Sequence, residues 1–127
     1  MVLCFEVALN KYLVLGNPID HSLSPQIHRF FAQESGLVIS YEKQLVPLES
    51  FNEAIDFLVD SGHVGFNVTV PFKEDAYKRV DTSDDIASEA QAVNTIRVDG
   101  EGQLHGFNTD GIGLTRDLVH RHGISVC

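Results

Sequence analysis

The chain is poor in positive charge. Nine lysines and arginines stand against eighteen aspartates and glutamates, a formal net charge of −9 over 127 residues. Nucleic-acid binding needs a basic face that displaces counterions from phosphates, and no stretch here supplies one. The same deficit disfavours docking on anionic lipid. Any anionic ligand must be held by local donors against a repulsive overall field. Cysteine is scarce as well. Cys4 and Cys127 stand near opposite ends, which makes neither a disulfide framework nor a metal-ligand pattern. Free thiols in a reducing, cytoplasmic setting are the expectation. Long apolar runs are missing too. The opening MVLCFEVALN is too short for a membrane span and has no basic flank, so neither a signal peptide nor a transmembrane helix is expected. Repeats, low-complexity tracts and linkers are also lacking.

What is present has an ordinary globular balance. Hydrophobic residues make up 43% and charged residues 21%, which argues against disorder. The length suits one domain. Lys11–Gly16 reads as a buried strand ended by Gly-Asn-Pro. Ser24-Pro25 is a helix start, with the Ser24 hydroxyl able to cap free N–H groups and proline suited to the first turn. Ile27, Phe30 and Phe31 follow at helical spacing, and Gly36 can close the helix. Ser40–Val46 is a second strand. Phe51, Ala54, Ile55, Leu58 and Val59 form an amphipathic helical stripe that Gly62 ends. Val64–Val70 is a third strand, rich in β-branched residues, and a short helix begins within PFKEDAYKR. Thr82 and Asp85 resemble a capping box ahead of IASEAQA. Ala92–Val98 and Gln103–Phe107 flank Asp99-Gly100-Glu101-Gly102, a hairpin connection. A last helix starts near Asp110, carries Leu114 and Leu118, and ends at Gly123. The order β-α-β-α-β-α-α-β-β-α predicts an α/β domain whose first strands are parallel.

Polar residues gather where strands end and helices begin: Ser22 and Ser24; Asn67, Thr69 and Lys73; Asn94 and Thr95; Asn108, Thr109 and Asp110. Open α/β sheets bind ligands at strand ends, so these loops can converge on one pocket. Each has a plainer explanation alone. Ser24 and Asp110 can serve only as helix caps, Asn67 and Thr69 can face solvent, and Lys73 can be a solvated surface group. Asn94 is harder to dismiss, because an amide in an apolar strand needs partners. The six histidines show no metal-ligand spacing. His120 and His122, two apart on a helix, point to different sides. A hydrolase elbow is missing. Gly111-Ile112-Gly113 follows NTD rather than a strand and lacks the third glycine of a dinucleotide fingerprint.

Taken together, GNPIDHSLSP at 16–25, NVTVPFK at 67–73, AVNT at 92–95 and NTDGIG at 108–113 resemble, in order and spacing, the substrate-binding half of shikimate dehydrogenases. The likeness runs from Lys11 to Gly123. It implies a mixed, mostly parallel six-stranded sheet flanked by helices. It implies an oxidoreductase that reduces 3-dehydroshikimate to shikimate with NADPH, on the route to chorismate and the aromatic amino acids. Carried over, Ser22 and Ser24 hold the substrate carboxylate. Asn67, Thr69, Asn94 and Asp110 bind ring hydroxyls, and Lys73 lies beside the reacting oxygen. Lys73 and Asp110 are the pair assigned to catalysis. Residues 1–127 are expected to form one substrate-binding domain, with the NADP-binding Rossmann domain absent from this chain, no cofactor bound by it and no hydride transfer by it alone. The break after Ile124-Ser125-Val126-Cys127, a strand-like start, adds to that expectation of truncation. An exposed inter-domain face should promote self-association. Gln91 stands where the family more often has glycine, a change expected to be tolerated. Two alternatives remain: a non-catalytic module that binds shikimate-like acids, and a domain of a quinate/shikimate dehydrogenase, against which the NVT run at 67–69 leans.

Overall fold

The computed structural model describes residues 9–126. Cys4, Cys127 and most of the opening apolar segment lie outside the described residues. The first strand, β1 (Asn10–Gly16), leads through a loop to α1 (Ser24–Glu34), then β2 (Ile39–Leu45), α2 (Phe51–Asp60) and β3 (His63–Val68). The short helices α3 (Lys73–Arg79) and α4 (Asp85–Ala90) flank β4 (Thr82–Ser83), and the hairpin β5 (Thr95–Val98) and β6 (Leu104–Phe107) precedes α5 (Asp110–His122). All six strands form one mixed sheet in the order β2-β1-β3-β5-β6-β4. Strands β2, β1 and β3 are mutually parallel, β5 is antiparallel to both β3 and β6, and β4 runs parallel to β6. The α/β class and the six-stranded mixed sheet expected from the resemblance are what the structure has.

The core lies on one face of the sheet. Leu13 and Leu15 of β1 and Phe66 and Val68 of β3 meet Ile55 of α2 and Phe72 beside α3. Ile55 is fully buried and Phe72 is 1% exposed, and each contributes about 1.5–3 kcal/mol through removal from water. The α2 stripe behaves as its spacing predicts: Phe51, Ile55 and Leu58 are buried, and Ala54 and Val59 pack against them. The opposite face is less covered. There α1 buries only Pro25 and Ala32, while Ile27, Phe30 and Phe31 stay 46–57% exposed. A smaller cluster of Val14, Ile19 and Tyr41 lies on this side.

Two local expectations are corrected. Thr82 is not a helix cap. It is a strand residue paired with His105, and its Oγ1 lies 2.7 Å from His105 Nδ1. Asp84 caps α4 instead, its carboxylate accepting from the Ala87 N–H at 2.8 Å. Ser24 does not cap α1 either. It is the first helical residue, and its own N–H is met by Ser22 Oγ at 3.3 Å. Strand β6 ends at Phe107 and α5 begins at Asp110, so Gly111-Ile112-Gly113 follows NTD, as expected. The hairpin is as expected, with Asp99 Oδ1 accepting from the N–H groups of Glu101 and Gln103 at 2.9 and 3.0 Å.

Candidate functional site

Topology brings the polar loops to one edge of the sheet. Because β1 and β3 are parallel, their C-terminal ends lie together, Leu15 beside Val68. Because β5 is antiparallel to β3, the start of β5 lies at that same edge, with Thr95 opposite Asn67. Reversal at the hairpin returns the end of β6 to it, Phe107 opposite Thr95. Four loops therefore open there. They carry Ser22 and Ser24, Thr69 and Lys73, Asn94, and Asn108 to Asp110.

Two close approaches tighten this edge. A Cβ on Gly16 would lie 2.6 Å from Thr69 Cγ2 and 3.2 Å from the Val70 carbonyl oxygen, so glycine lets the end of β1 abut the loop after β3. The Val93 N–H donates to the Lys73 carbonyl at 2.9 Å, which ties the start of α3 to the entry of β5.

The side chains then meet. Lys73 Nζ donates to Asp110 Oδ2 at 2.6 Å, with the side chains 31% and 51% exposed. A pair this accessible adds at most about 1 kcal/mol to stability. Asn94 Nδ2 donates to Asp110 Oδ1 and to Thr109 Oγ1, both at 2.9 Å. Asn108 is 7% exposed and holds the turn, with Nδ2 donating to the Ala92 carbonyl and Oδ1 accepting from the Asp110 N–H. Asn67 on β3 donates to Thr95 Oγ1 at 3.2 Å. Lys73, Asn67, Asn94 and Asp110, four residues singled out by sequence, are thus linked directly or through one neighbour. Ser22 and Thr69 in the adjoining loops and Ser24 at the start of α1 are partly buried. Among the described contacts, the side chains of Ser22 and Thr69 make no hydrogen bond into this cluster.

Sequence reasoning missed Tyr41. Its hydroxyl donates to Asn67 Oδ1 at 2.6 Å, and its ring stacks on His28 with centroids 4.3 Å apart. Burial pushes the phenol up to about 12, opposed by a smaller contribution from the Ser24 side chain. His28 Nδ1 lies 2.9 Å from the Ser24 carbonyl, which makes that nitrogen the donor. The available signal was slight: one aromatic with a polar tip among charged and polar strand neighbours. A groove of about 620 Å³ runs along this face past Tyr41, His28, Phe31, Asn67 and Thr95. Lys73 and Asp110 stand outside it.

The Gly111-Ile112-Gly113 segment does not fit a pyrophosphate. Gly111 and Gly113 lie inside the first turn of α5, and Asp110 puts a carboxylate at the helix N-terminus where a pyrophosphate would need N–H groups free of negative charge.

A family model described as the shikimate dehydrogenase substrate binding domain matches residues 14–96. Among curated relatives, the shikimate dehydrogenase (NADP(+)) of Alkalilimnicola ehrlichii is 50% identical over 117 residues, 92% of this chain and 43% of that protein. The enzyme of the same name from Thioalkalivibrio sulfidiphilus is 48% identical, over 93% of this chain and 43% of that protein. The chain thus spans under half the length of these relatives. Among solved structures, shikimate 5-dehydrogenase from Thermus thermophilus, in complex with NADP(H) and shikimate, superposes with a TM-score of 0.84 at 38% identity, covering 92% of this chain and 44% of that one.

Proposed function

The chain belongs to the shikimate dehydrogenase substrate-binding family, and from that premise we propose that it forms the substrate half of an NADP-dependent enzyme that interconverts 3-dehydroshikimate and shikimate in the cytoplasm. The observation that carries this reading is the Lys73–Asp110 pair at the strand-end edge, with Asn94 bridging to it. Reduction of a ketone builds negative charge on oxygen. An ammonium group held there stabilises that charge and can supply the proton. Asp110 keeps Lys73 aimed and favours its charged form. Asn67, Thr69 and Asn94 receive the ring hydroxyls, and a missing hydroxyl would leave buried polar groups unpaired, which favours a polyol. Ser22 and Ser24, at the N-terminal end of α1, receive the carboxylate. N–H groups and the helix dipole there offset the repulsion from a chain of net charge −9.

The test is isothermal titration of shikimate into the chain. Binding is expected, and Ser22→Ala/Ser24→Ala together should abolish it. Loss of a charge-assisted contact in Lys73→Ala should weaken it by roughly ten- to a hundredfold. Absence of binding by a chain whose melting is cooperative would overturn the proposed site. Steady reduction of 3-dehydroshikimate with NADPH by these 127 residues alone would refute their assignment as the substrate half only. The exposed Leu23, Ile27, Phe30 and Phe31 on one side of α1 support self-association at high concentration. Light scattering that shows a monomer throughout would count against it.

A further inference from the structure

The side chains from Tyr41 to Asp110 form one hydrogen-bonded series whose direction is fixed at several points. Asp110 carries a carboxylate, which only accepts, so Asn94 turns its Nδ2 toward it. The backbone N–H of Thr109 only donates, and it meets Asn94 Oδ1 at 3.1 Å, which fixes the same amide orientation independently. Thr95 Oγ1 lies 3.0 Å from that Oδ1 and must donate its single hydrogen there. It can then only accept from Asn67 Nδ2, 3.2 Å away. The Asn94 carbonyl, 3.4 Å from the same Nδ2, also only accepts. Both amide hydrogens of Asn67 are therefore engaged, and Oδ1 is left to face Tyr41, whose hydroxyl donates at 2.6 Å.

We propose that Tyr41 is a positioning residue for the site: its hydroxyl locks the Asn67 amide so that Oδ1 is offered to a ligand hydroxyl as an acceptor, and through Asn67 and Thr95 it is coupled to Asn94, which faces Asp110. The proposal deepens the reading of the site as one for a hydroxylated acid and rests on it for the ligand. Each donor in the series points toward the Asp110 charge, an arrangement in which neighbouring hydrogen bonds strengthen one another. Tyr41 suits the terminal place. It is 3% exposed, its ring is held against His28, and its phenol keeps its proton across the physiological range. Through His28 and the Ser24 carbonyl, the same ring reaches the first turn of α1, which joins the two ends of the site.

The experiment compares the chain with Tyr41→Phe and Thr95→Val by two readouts. In ¹H–¹⁵N spectra without ligand, Tyr41→Phe should move the Asn67 side-chain amide signals and also those of Asn94, which Tyr41 does not touch. Unmoved Asn94 signals would overturn the series. In titrations, both variants should bind shikimate about tenfold more weakly, while cyclohex-1-ene-1-carboxylate, with the same carboxylate and no hydroxyls, binds as it does to the parent chain. Equal losses for both ligands would mean that Tyr41 only supports the fold, and no loss for either would remove its role. Thr95→Val carries the test if Tyr41→Phe does not fold. If the parent chain binds neither ligand, the substrate reading fails, and the amide signals still decide whether Tyr41 orients Asn67.

Discussion

Gln91 offers a stability test that follows directly from backbone geometry. It ends α4 in the left-handed region, at φ 51° and ψ 36°, with its N–H donating to the Ala87 carbonyl. That conformation costs an L-residue with a Cβ about 1–2 kcal/mol. Glycine removes the clash, but its greater freedom in the unfolded chain takes back about 0.5–1 kcal/mol. Gln91→Gly should therefore stabilise the chain by about 0.5–1 kcal/mol net, raising Tm by roughly 2–4 °C for a domain of this length. Gln91→Ala keeps the Cβ and should melt within about 1 °C of the parent. Gln91→Asn should fall between, because asparagine tolerates the left-handed region better. Differential scanning calorimetry on the four chains decides the matter. A Gln91→Gly chain that melts at or below the parent would refute the strain argument. The turn also matters to the site, since two residues later the Val93 N–H reaches the Lys73 carbonyl. The expectation that glutamine is tolerated here is thus refined to a small, measurable cost.

Two further outcomes are expected. Gly106→Ala would set a Cβ 2.8 Å from Val93 Cγ2 and 2.9 Å from Val80 Cγ2, so overpacking should cost about 1–3 kcal/mol; an unchanged urea midpoint would show that the valines yield freely. The Asp99 carboxyl is lowered to about 2, first by the His105 hydrogen bond and then by the N–H groups of Gln103 and Glu101. A depressed carboxyl stabilises the fold above its unfolded value of about 3.9 and loses that contribution as pH falls toward about 2. Asp99→Asn should therefore flatten the acid limb of a stability–pH curve between roughly pH 4 and 2, and parallel curves there would contradict the assignment.

Sequence and structure agree where burial has one side. The α2 stripe was legible because its apolar residues all meet a single sheet face. In α1 the same kind of spacing, Ile27 with Phe30 and Phe31, does not end in burial. Periodicity reports which face of a helix can be covered and says nothing about whether these residues cover it. Strand β4 was invisible for another reason. It is two residues long and exists only through its pairing with β6, so no local pattern announces it. The Thr82 capping box failed with it, because the pairing with His105 recruits that threonine into the sheet before a helix can.

The site divides along the same line. Glycine and proline punctuate the strand ends, so the positions of Ser22, Lys73, Asn94 and Asp110 near helix starts could be read locally. Their convergence could not. It depends on β5 lying beside β3 in antiparallel register, which sets Thr95 opposite Asn67 across 28 residues of chain. Tyr41 is the extreme case. In its own strand it is one aromatic among charged and polar neighbours, and only long-range pairing brings β2 beside β1 and β1 beside β3, so that its hydroxyl meets an amide 26 positions away. Residues that touch ligand tend to sit in loops with a recognisable local grammar. Those that orient them sit inside the sheet, where a side chain looks like packing until the register is known. For this chain, the places of Lys73 and Asp110 near helix starts were therefore open to a reader of the sequence, whereas their pairing and the direction of the hydrogen bonds around them became readable only once the strands were in order.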